Sequence, residues 1–195
     1  RTALSLAVQR KPIADQVYFG NAEPASTYVH PKTPDFNPET PMHLGKYDPA
    51  QSAKLLDEGG WKLESAGSRY KDGKKLTLQL YGFAGGRSPK VAEAVQGDWR
   101  KIGVDLQIQM WDGTIVFSKL AQQDYDIWSI AYPYSSVGDA ANLYWHSKNT
   151  PTPNRMNWKD KETDQWLEAG SAALAEKDRY ENFSKEMKEG DEDAV

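Results

Sequence analysis

Residues 91–104 read VAEAVQGDWRKIGV, and this run lies at the centre of the stretch 76–132 that decides the fold. Its apolar residues recur three and four positions apart, which predicts a helix with one buried stripe. The helix ends at Gly103, a residue type that favours helix C-termini. The stripe consists of Val91, Ala94, Val95, Trp99 and Ile102.

Strand patterns flank this helix on both sides. Residues 76–81 (LTLQLY) alternate apolar and polar side chains, and residues 104–110 do so again. Strand, helix and strand in this order predict a βαβ unit. A second helical pattern at 115–120 leads into the apolar run 125–132, which we expect to be an interior strand.

Strands that alternate with crossover helices predict an α/β fold with a mixed, mostly parallel sheet covered by helices. Such sheets bind ligands beyond the carboxyl ends of their strands. We therefore expect functional residues in the segments that follow the three strand patterns, at 82–87, 111–114 and 132–139.

Composition excludes several classes of protein. A net charge of −4 from mixed charges favours neither nucleic acid nor an anionic membrane as a partner. The chain has no cysteine, so disulfides, thiolate nucleophiles and cysteine-ligated zinc are excluded. The apolar runs are too short to span a bilayer.

The two ends of the chain indicate a fragment. Arg1 opens directly into a helical pattern without a capping residue, and an apolar run begins at the last residues, 193–195. The lack of a signal peptide therefore carries no information about targeting.

The segment 21–49 contains six of the eleven prolines, which predicts an extended loop over the surface. Regular structure restarts at Asp48, an N-cap residue, with Pro49 in the first turn and a stop at Gly59. Residues 71–74 (KDGK) predict a tight turn. After residue 132 we expect helices at 139–145, 161–169 and 176–188, the last running into a solvated tail at 185–193.

The order of several short motifs resembles the C-terminal lobe of the extracytoplasmic solute-binding proteins of ABC importers, in the peptide, nickel and opine class known as family 5. Their ordered succession covers most of the chain. The motifs are RTALSLAVQRKPI (1–13), GNAEPA (20–25), YDPAQSAKLLDEGGW (47–61), AEAVQGDWRKIGV (92–104) and DYD (124–126).

The resemblance implies one lobe of a type II periplasmic-binding-protein fold. Residues 1–195 would form the C-terminal ligand-binding lobe, with the loop 21–49 on its surface and with the N-terminal lobe and a final return strand absent. It further implies a periplasmic or lipid-anchored monomer that binds a solute between two lobes and delivers it to ABC permease subunits, without a cofactor and without nucleic acid.

The resemblance does not extend to the charged ligand anchors. Peptide-binding members carry an arginine, a tryptophan and an aspartate after the DYD strand, where this chain has Ser129, Tyr132 and Ser135. A buried ammonium without a charged partner costs several kcal/mol, so we expect a sugar, an opine-like molecule or a blocked peptide as the ligand. The candidate ligand residues are Tyr132, Tyr134, Trp128, Ser135, Arg87 and Asn142.

Simpler interpretations compete with these choices. Trp128 can fill the core, Arg87 can be a surface side chain rather than an anion site at a helix N-terminus, and Asp112 can cap the following helix. The histidines His30, His43 and His146 lack neighbours at metal-ligand spacing, so no metal site is expected.

Two other functions stay open. A glycan hydrolase would need a convergent acid and base, for which only Asp124, Asp126 and Asp139 are candidates. A lobe that binds only other proteins would have a convex, polar edge where the ligand residues are expected.

Overall fold

The computed structural model describes residues 1–25, 27–40, 46–131 and 133–192. The predicted ligand residue Tyr132, the histidine His43 and parts of the predicted loop 21–49 lie outside these ranges. Backbone contacts divide the chain into two compact units. Unit 1 comprises Arg1–Pro24 and Gly45–Ala131, and unit 2 comprises Ala25–Leu44 and Tyr132–Val195.

Unit 1 carries a parallel sheet, a small antiparallel sheet and five of the helices. The helices are α1 (Thr2–Leu6), α2 (Arg10–Val17), α3 (Pro49–Glu58), α4 (Ser88–Lys101) and α5 (Gly113–Ala121). The strands are β1 (Lys62–Leu63), β2 (Arg69–Lys71), β3 (Lys74–Lys75), β4 (Thr77–Phe83), β5 (Asp105–Trp111) and β6 (Ile127–Ser129).

The parallel sheet confirms the predicted βαβ unit. Strand β4 is central, and it pairs in parallel with β5 from Thr77 opposite Asp105 to Phe83 opposite Trp111. Helix α4 is the crossover between β4 and β5, and it packs on both strands. The α/β class inferred from the sequence is therefore correct.

The apolar run 125–132 does not form the long interior strand that its pattern suggests. Only Ile127–Ser129 is a strand, and in the described residues it pairs with β4 alone, at the edge of the sheet. The pairing of β6 with β4 begins next to Asp126, whose carboxylate accepts a hydrogen bond from the Gln79 backbone N–H at 2.8 Å. A side chain here replaces a backbone partner, which an apolar pattern does not reveal.

Three of the five predicted stripe residues of α4, Val95, Trp99 and Ile102, belong to the core of unit 1, and Ala92 is buried there in place of Val91 and Ala94. Trp99 and Ile102 are buried together with Leu76, Leu80 and other residues of the sheet, and Val95 packs against them. The Trp99 indole Nε1 donates to the backbone oxygen of Leu4 at 2.9 Å, which ties α1 to α4. A buried tryptophan with a satisfied N–H stabilises such a core by several kcal/mol.

The structure confirms the predicted turn and capping signals. The Asp48 carboxylate accepts from the Gln51 N–H at 2.9 Å as the cap of α3, and Pro49 is the first residue of that helix. The hairpin between β2 and β3 turns through Asp72 and Gly73, whose φ angles are 52° and 74°. Gly103 has a φ of 84°, and a Cβ there would lie 2.7 Å from Leu63. A larger residue would therefore have a strained backbone and would also clash with Leu63.

Unit 2 is built from helices α6 (Val137–Trp145), α7 (Lys161–Ala172) and α8 (Glu176–Glu192), with a short 3₁₀ turn at Ser147–Asn149. Its core centres on Trp145, whose ring meets the ring of Trp158 edge to face at a centroid distance of 5.7 Å. The other fully buried members are Val29, Val137, Ala140, Ala141, Leu167, Phe183 and Met187.

Helix α8 contradicts the predicted solvated tail at 185–193. The helix continues to Glu192, and both Glu186 and Met187 are 1% exposed. The charge density of this segment suggests solvent, but α8 is amphipathic, and its inward face is covered by distant parts of unit 2.

The segment 27–40 lies on α8. Val29 is buried in the core of unit 2, and Tyr28 and Phe36 pack against that core. Farther along, the Asn37 amide and the Thr40 hydroxyl donate to the Ser184 Oγ at 3.0 and 2.8 Å. Residues 27–40 of the predicted surface loop are thus part of unit 2, and the burial of Val29 shows that this part does not simply run over the surface.

None of the helices in the described ranges combines the length and the apolar composition that crossing a membrane would require.

Candidate functional site

A cavity of about 480 Å³ lined by described residues lies within unit 2. Helices α6, α7 and α8, the segment 27–40 and the 3₁₀ turn each contribute to its wall. The lining residues are Asp35, Ser136, Gly138, Asp139, Asn142, Leu143, Asn149, Gly170, Ser171, Arg179 and Phe183. A cavity of this size holds a small ligand.

An ion pair forms one wall of the cavity. The Arg179 Nε donates to the Asp35 carboxylate at 2.9 Å, and the two side chains are 29% and 17% exposed. The Arg179 Nη1 also donates to the backbone oxygen of Leu174 at 3.0 Å. The hydrogen bond to Asp35 raises the pKa of Arg179 above its ordinary value, so its charge is permanent.

The start of α6 forms a second wall through a reciprocal cap. The Ser136 Oγ accepts from the Asp139 N–H at 3.0 Å, while the Asp139 carboxylate accepts from the N–H and the hydroxyl of Ser135 at 2.9 and 3.2 Å. This exchange is a variant of the capping box, which fixes the first turn of the helix. The predicted ligand residue Ser135 therefore holds Asp139 beside the cavity.

The predicted ligand residue Asn142 lines the cavity between α6 and α7. Its Nδ2 donates to the Gly138 oxygen at 2.8 Å and to the Ser171 Oγ at 2.9 Å. The Asn149 Nδ2 donates to the backbone oxygen of Asn142 at 2.5 Å. Since both N–H groups of the Asn142 amide are bound within the wall, its amide oxygen is the atom left for a ligand, and the amide oxygen of Asn149 is also without a protein donor in the described residues.

The free hydrogen-bonding groups of this cavity are mostly acceptors. Among the described residues, no protein donor reaches one carboxylate oxygen each of Asp35 and Asp139 or the amide oxygens of Asn142 and Asn149. The unused donors include the second terminal nitrogen of Arg179, the Ser136 hydroxyl and the second N–H of Asn149. This combination suits a ligand that presents several hydroxyl or N–H donors and at least one acceptor.

The floor of the cavity is the ring of Phe183, which packs directly on two glycines. A Cβ at Gly138 would lie 2.5 Å from this ring, and a Cβ at Gly170 would lie 2.7 Å from it. The ring is 2% exposed. Close backbone contact of this kind fixes the spacing of α6, α7 and α8 around the cavity.

Tyr134 lies in the same unit but is not free. Its side chain is half-buried against the core of unit 2, and its hydroxyl accepts from the His30 backbone N–H at 3.0 Å. Its ring is not sealed in the interior, so Tyr134 as a ligand residue stays a prediction. Tyr132 lies outside the described residues.

The remaining two predicted residues, Trp128 and Arg87, lie in unit 1. Trp128 is half-buried at the middle of β6, where it packs on the cluster of Tyr81, Val116 and Leu120. Arg87 precedes α4 and is exposed, with its guanidinium carbon 5.4 Å from the centre of the Tyr18 ring. Asn142 therefore lines the cavity and Ser135 contacts its lining residue Asp139, whereas Trp128 and Arg87 belong to the other unit.

The cavity residues that are not predicted from the sequence include the polar side chains Asp35, Asn149 and Arg179. Arg179 lies on a helix that the sequence predicts as amphipathic, and its partner Asp35 is 144 positions away. Asp35 has a φ of 67°, a left-handed conformation that aspartate and asparagine tolerate better than most residues. The only local signal is this residue type within a proline-rich stretch.

The carboxylates suggested for a hydrolase are distributed over both units. Asp124 and Asp126 belong to unit 1 and Asp139 to unit 2, while Asp126 and Asp139 both accept hydrogen bonds from backbone N–H groups. Asp112 precedes α5 as expected, although its side chain makes no capping hydrogen bond. In the described ranges, no three histidine, aspartate or glutamate side chains are placed to hold a metal ion.

Comparison with known proteins identifies relatives along most of the chain. Residues 1–154 match the model of the family described as bacterial extracellular solute-binding proteins, family 5 Middle. The nickel-binding periplasmic protein of Escherichia coli K12 is 33% identical over 111 residues, which are 55% of this chain and 21% of that protein. The oligopeptide-binding protein AppA of Bacillus subtilis is 24% identical over 184 residues, 92% of this chain and 34% of that protein.

Solved structures agree on the fold. AppA of Bacillus subtilis in complex with a nonapeptide superposes with a TM-score of 0.90 at 23% identity, over 99% of this chain and 39% of that chain. A mannohexaose-bound periplasmic oligopeptide-binding protein of Thermotoga maritima gives a TM-score of 0.83 at 17% identity, over 100% of this chain and 39% of that one. The chain thus spans about a third of the length of the AppA relative.

Proposed function

We propose that this chain, which belongs to the bacterial extracellular solute-binding proteins of family 5, is part of the solute-binding component of an ABC importer. Its relatives named above are binding proteins, which supports a binding function and not catalysis. The protein would act outside the cytoplasm, in the periplasm or on a lipid anchor, and pass its solute to permease subunits in the membrane.

The solute that the cavity of unit 2 suits best is a neutral molecule rich in hydroxyl groups. The observation that carries this proposal is the set of acceptor oxygens on Asp35, Asp139, Asn142 and Asn149 that no protein donor in the described residues reaches, beside the unused donor nitrogen of Arg179. Sugars present many hydroxyl donors and also accept hydrogen bonds, so they satisfy both kinds of group. Blocked peptides and opine-like molecules meet the same need less completely.

The comparison proteins bind chemically different ligands. The Thermotoga protein was solved with mannohexaose bound, and the Bacillus protein with a nonapeptide. Both ligand classes therefore occur with this fold. For this chain we favour the sugar-like class, because Ser129 and Ser135 stand where peptide-binding members carry charged anchors.

We expect the two lobes of the full-length protein to close over the solute, as two-lobed binding proteins do. This chain supplies one lobe, and a companion lobe closes over the solute because the closed form contacts the solute better than the open form does. The six residues chosen from the sequence stay candidate ligand residues in this proposal. We expect a monomer that needs no cofactor.

Isothermal titration calorimetry of the full-length protein tests the proposal. The panel contains mannohexaose, an N-acetylated tripeptide amide, a free tripeptide and the nickel complex of histidine. We expect mannohexaose to bind and the free tripeptide to bind about tenfold more weakly or worse, because Ser129 and Ser135 replace the charged anchors of peptide-binding members. A free tripeptide that binds more tightly than every neutral ligand would refute the proposed ligand class.

A matched pair of variants tests the cavity itself. Asn142→Ala removes a lining amide, and Asn182→Ala removes an amide on α8 that donates to the Asp178 oxygen at 2.8 Å, the same type of bond that Asn142 makes to Gly138. Loss of one or two hydrogen bonds to a ligand should weaken binding about 3- to 10-fold in Asn142→Ala only. Equal affinities of the two variants would place the solute elsewhere.

A further inference from the structure

The most unusual titratable group in the described residues is the buried carboxyl group of Glu186 on α8. Its side chain is 1% exposed. Its Oε2 accepts a hydrogen bond from the Tyr28 hydroxyl at 2.6 Å, and no protein donor in the described ranges reaches its Oε1. An ionised carboxylate in such a place would need several donors or a cation.

Within the part of the chain that the structure describes, no cation acts on the pKa of Glu186. The titratable group that contacts it is Tyr28 of the segment 27–40, and Tyr134 of the loop before α6 faces Tyr28. On α7, the carboxylates of Asp164 and Glu168 face His146 instead. Burial therefore raises the pKa of Glu186 to about 8, although the hydrogen bond from Tyr28 acts in the opposite direction.

Glu186 also holds the segment 27–40 in place on unit 2. The Tyr28 ring packs against Trp145 at a centroid distance of 5.7 Å, so the hydroxyl of Tyr28 meets Glu186 from within the core. Further along the same segment, the side chains of Asn37 and Thr40 bind Ser184. Asp35, which forms the ion pair of the cavity wall, lies between these two attachments.

We propose that Glu186 is a proton-dependent latch: in its neutral form it holds the segment 27–40 on α8, and loss of its proton loosens that segment. The ionised form would place a carboxylate among apolar side chains with Tyr28 as its single donor. Detachment of the segment 27–40 from α8 is then favoured, because water can solvate the carboxylate of Glu186. The wall that carries Asp35 lifts with it.

The sign of the pH dependence follows from the raised pKa. Glu186 binds its proton more tightly in the attached state than in the detached state, where the carboxyl is solvated and has an ordinary value near 4.5. Attachment is therefore fully stabilised below about pH 4.5, weakens as the pH rises towards 8, and levels off above that value. One proton gives a slope of about tenfold in the opening constant per pH unit within that window.

Hydrogen exchange of the full-length protein measures this opening without any solute, so the outcome is independent of the proposed transport function. After correction for intrinsic exchange rates, the opening constant of residues 27–40 should rise about 100-fold between about pH 5.5 and 7.5. Glu186→Gln keeps the shape of the side chain and cannot ionise, so its opening constant should stay constant over this range.

Two further variants keep the test decisive. Glu181→Gln changes an exposed carboxylate on the same helix and should retain the wild-type slope. Tyr28→Phe removes the donor but leaves the carboxyl, so it should open more readily at every pH and still show the slope. A flat wild-type profile, or an unchanged slope in Glu186→Gln, would overturn the latch.

Discussion

Replacing Gly170 with alanine tests whether the floor of the cavity is as tightly packed as the structure indicates. A Cβ at this position would lie 2.7 Å from the ring of Phe183, and that ring is 2% exposed and cannot swing into solvent. Alanine in a helix gains at most about 1 kcal/mol over glycine. Forcing a methyl group into a filled core costs about 1–3 kcal/mol.

The matched control is Gly97 in α4, which is exposed and has no atom within 4 Å of the place that a Cβ would occupy. Gly97→Ala should therefore show only the helix gain and stabilise α4 by about 0.5–1 kcal/mol. The two variants should differ by about 1–3 kcal/mol, which is the cost of overpacking alone.

Native-state hydrogen exchange gives the opening free energy of each helix separately, which suits a chain with two units. We expect the amides of α7 to open more easily in Gly170→Ala and those of α4 to open less easily in Gly97→Ala. The double variant Gly170→Ala with Phe183→Leu should recover part of the loss, because leucine is smaller. Equal stabilisation by both alanines would refute the packing argument for the cavity floor.

Two further predictions concern unit 1. Arg69 is 2% exposed and donates to Asp57 at 2.7 Å and to two backbone carbonyl groups. Arg69→Met should therefore lower the free energy of unfolding of unit 1, measured in urea, by about 2–4 kcal/mol. A loss below about 1 kcal/mol would contradict this prediction. Burial alone would raise the pKa of Asp98, but hydrogen bonds from Lys101 and Gln9 outweigh it and lower that pKa. The stability that Asp98 contributes is thus present above its ordinary pKa of 3.8 and is lost as the pH falls through the lowered pKa. In Asp98→Asn, the free energy of unfolding should fall less steeply as the pH is lowered through this acid range. An unchanged fall would argue against the role of Asp98.

The fold can be predicted where the signal is local and periodic. The alternation of β4 and β5 and the stripe of α4 with Trp99 specify the βαβ unit. Asp48 and Gly103 are recognisable because caps and left-handed turns favour particular residue types.

The site can be predicted only in part, because its contacts join distant segments. Asn142, which lines the cavity, and Ser135, which contacts Asp139, can be selected from the sequence because they follow a strand pattern, and their contact with a ligand stays a prediction. Arg179 is not, because its partner Asp35 is 144 positions away. Glu186 lies among charged residues, a context that is typical of an exposed side chain. Its neighbours along the chain do not indicate the contact with Tyr28, which is 158 positions earlier.

The discontinuity of unit 2 has a practical consequence for dissecting this protein. Residues 25–44 and 132–195 belong to one folded body, although 87 residues of unit 1 separate them along the chain. A gene truncated to begin near residue 133 would discard Val29 and Tyr28 and leave the inner face of the last helix bare. Isolating this unit therefore requires that the two segments be joined by a short designed linker. A single truncation will yield an incompletely folded, aggregation-prone product.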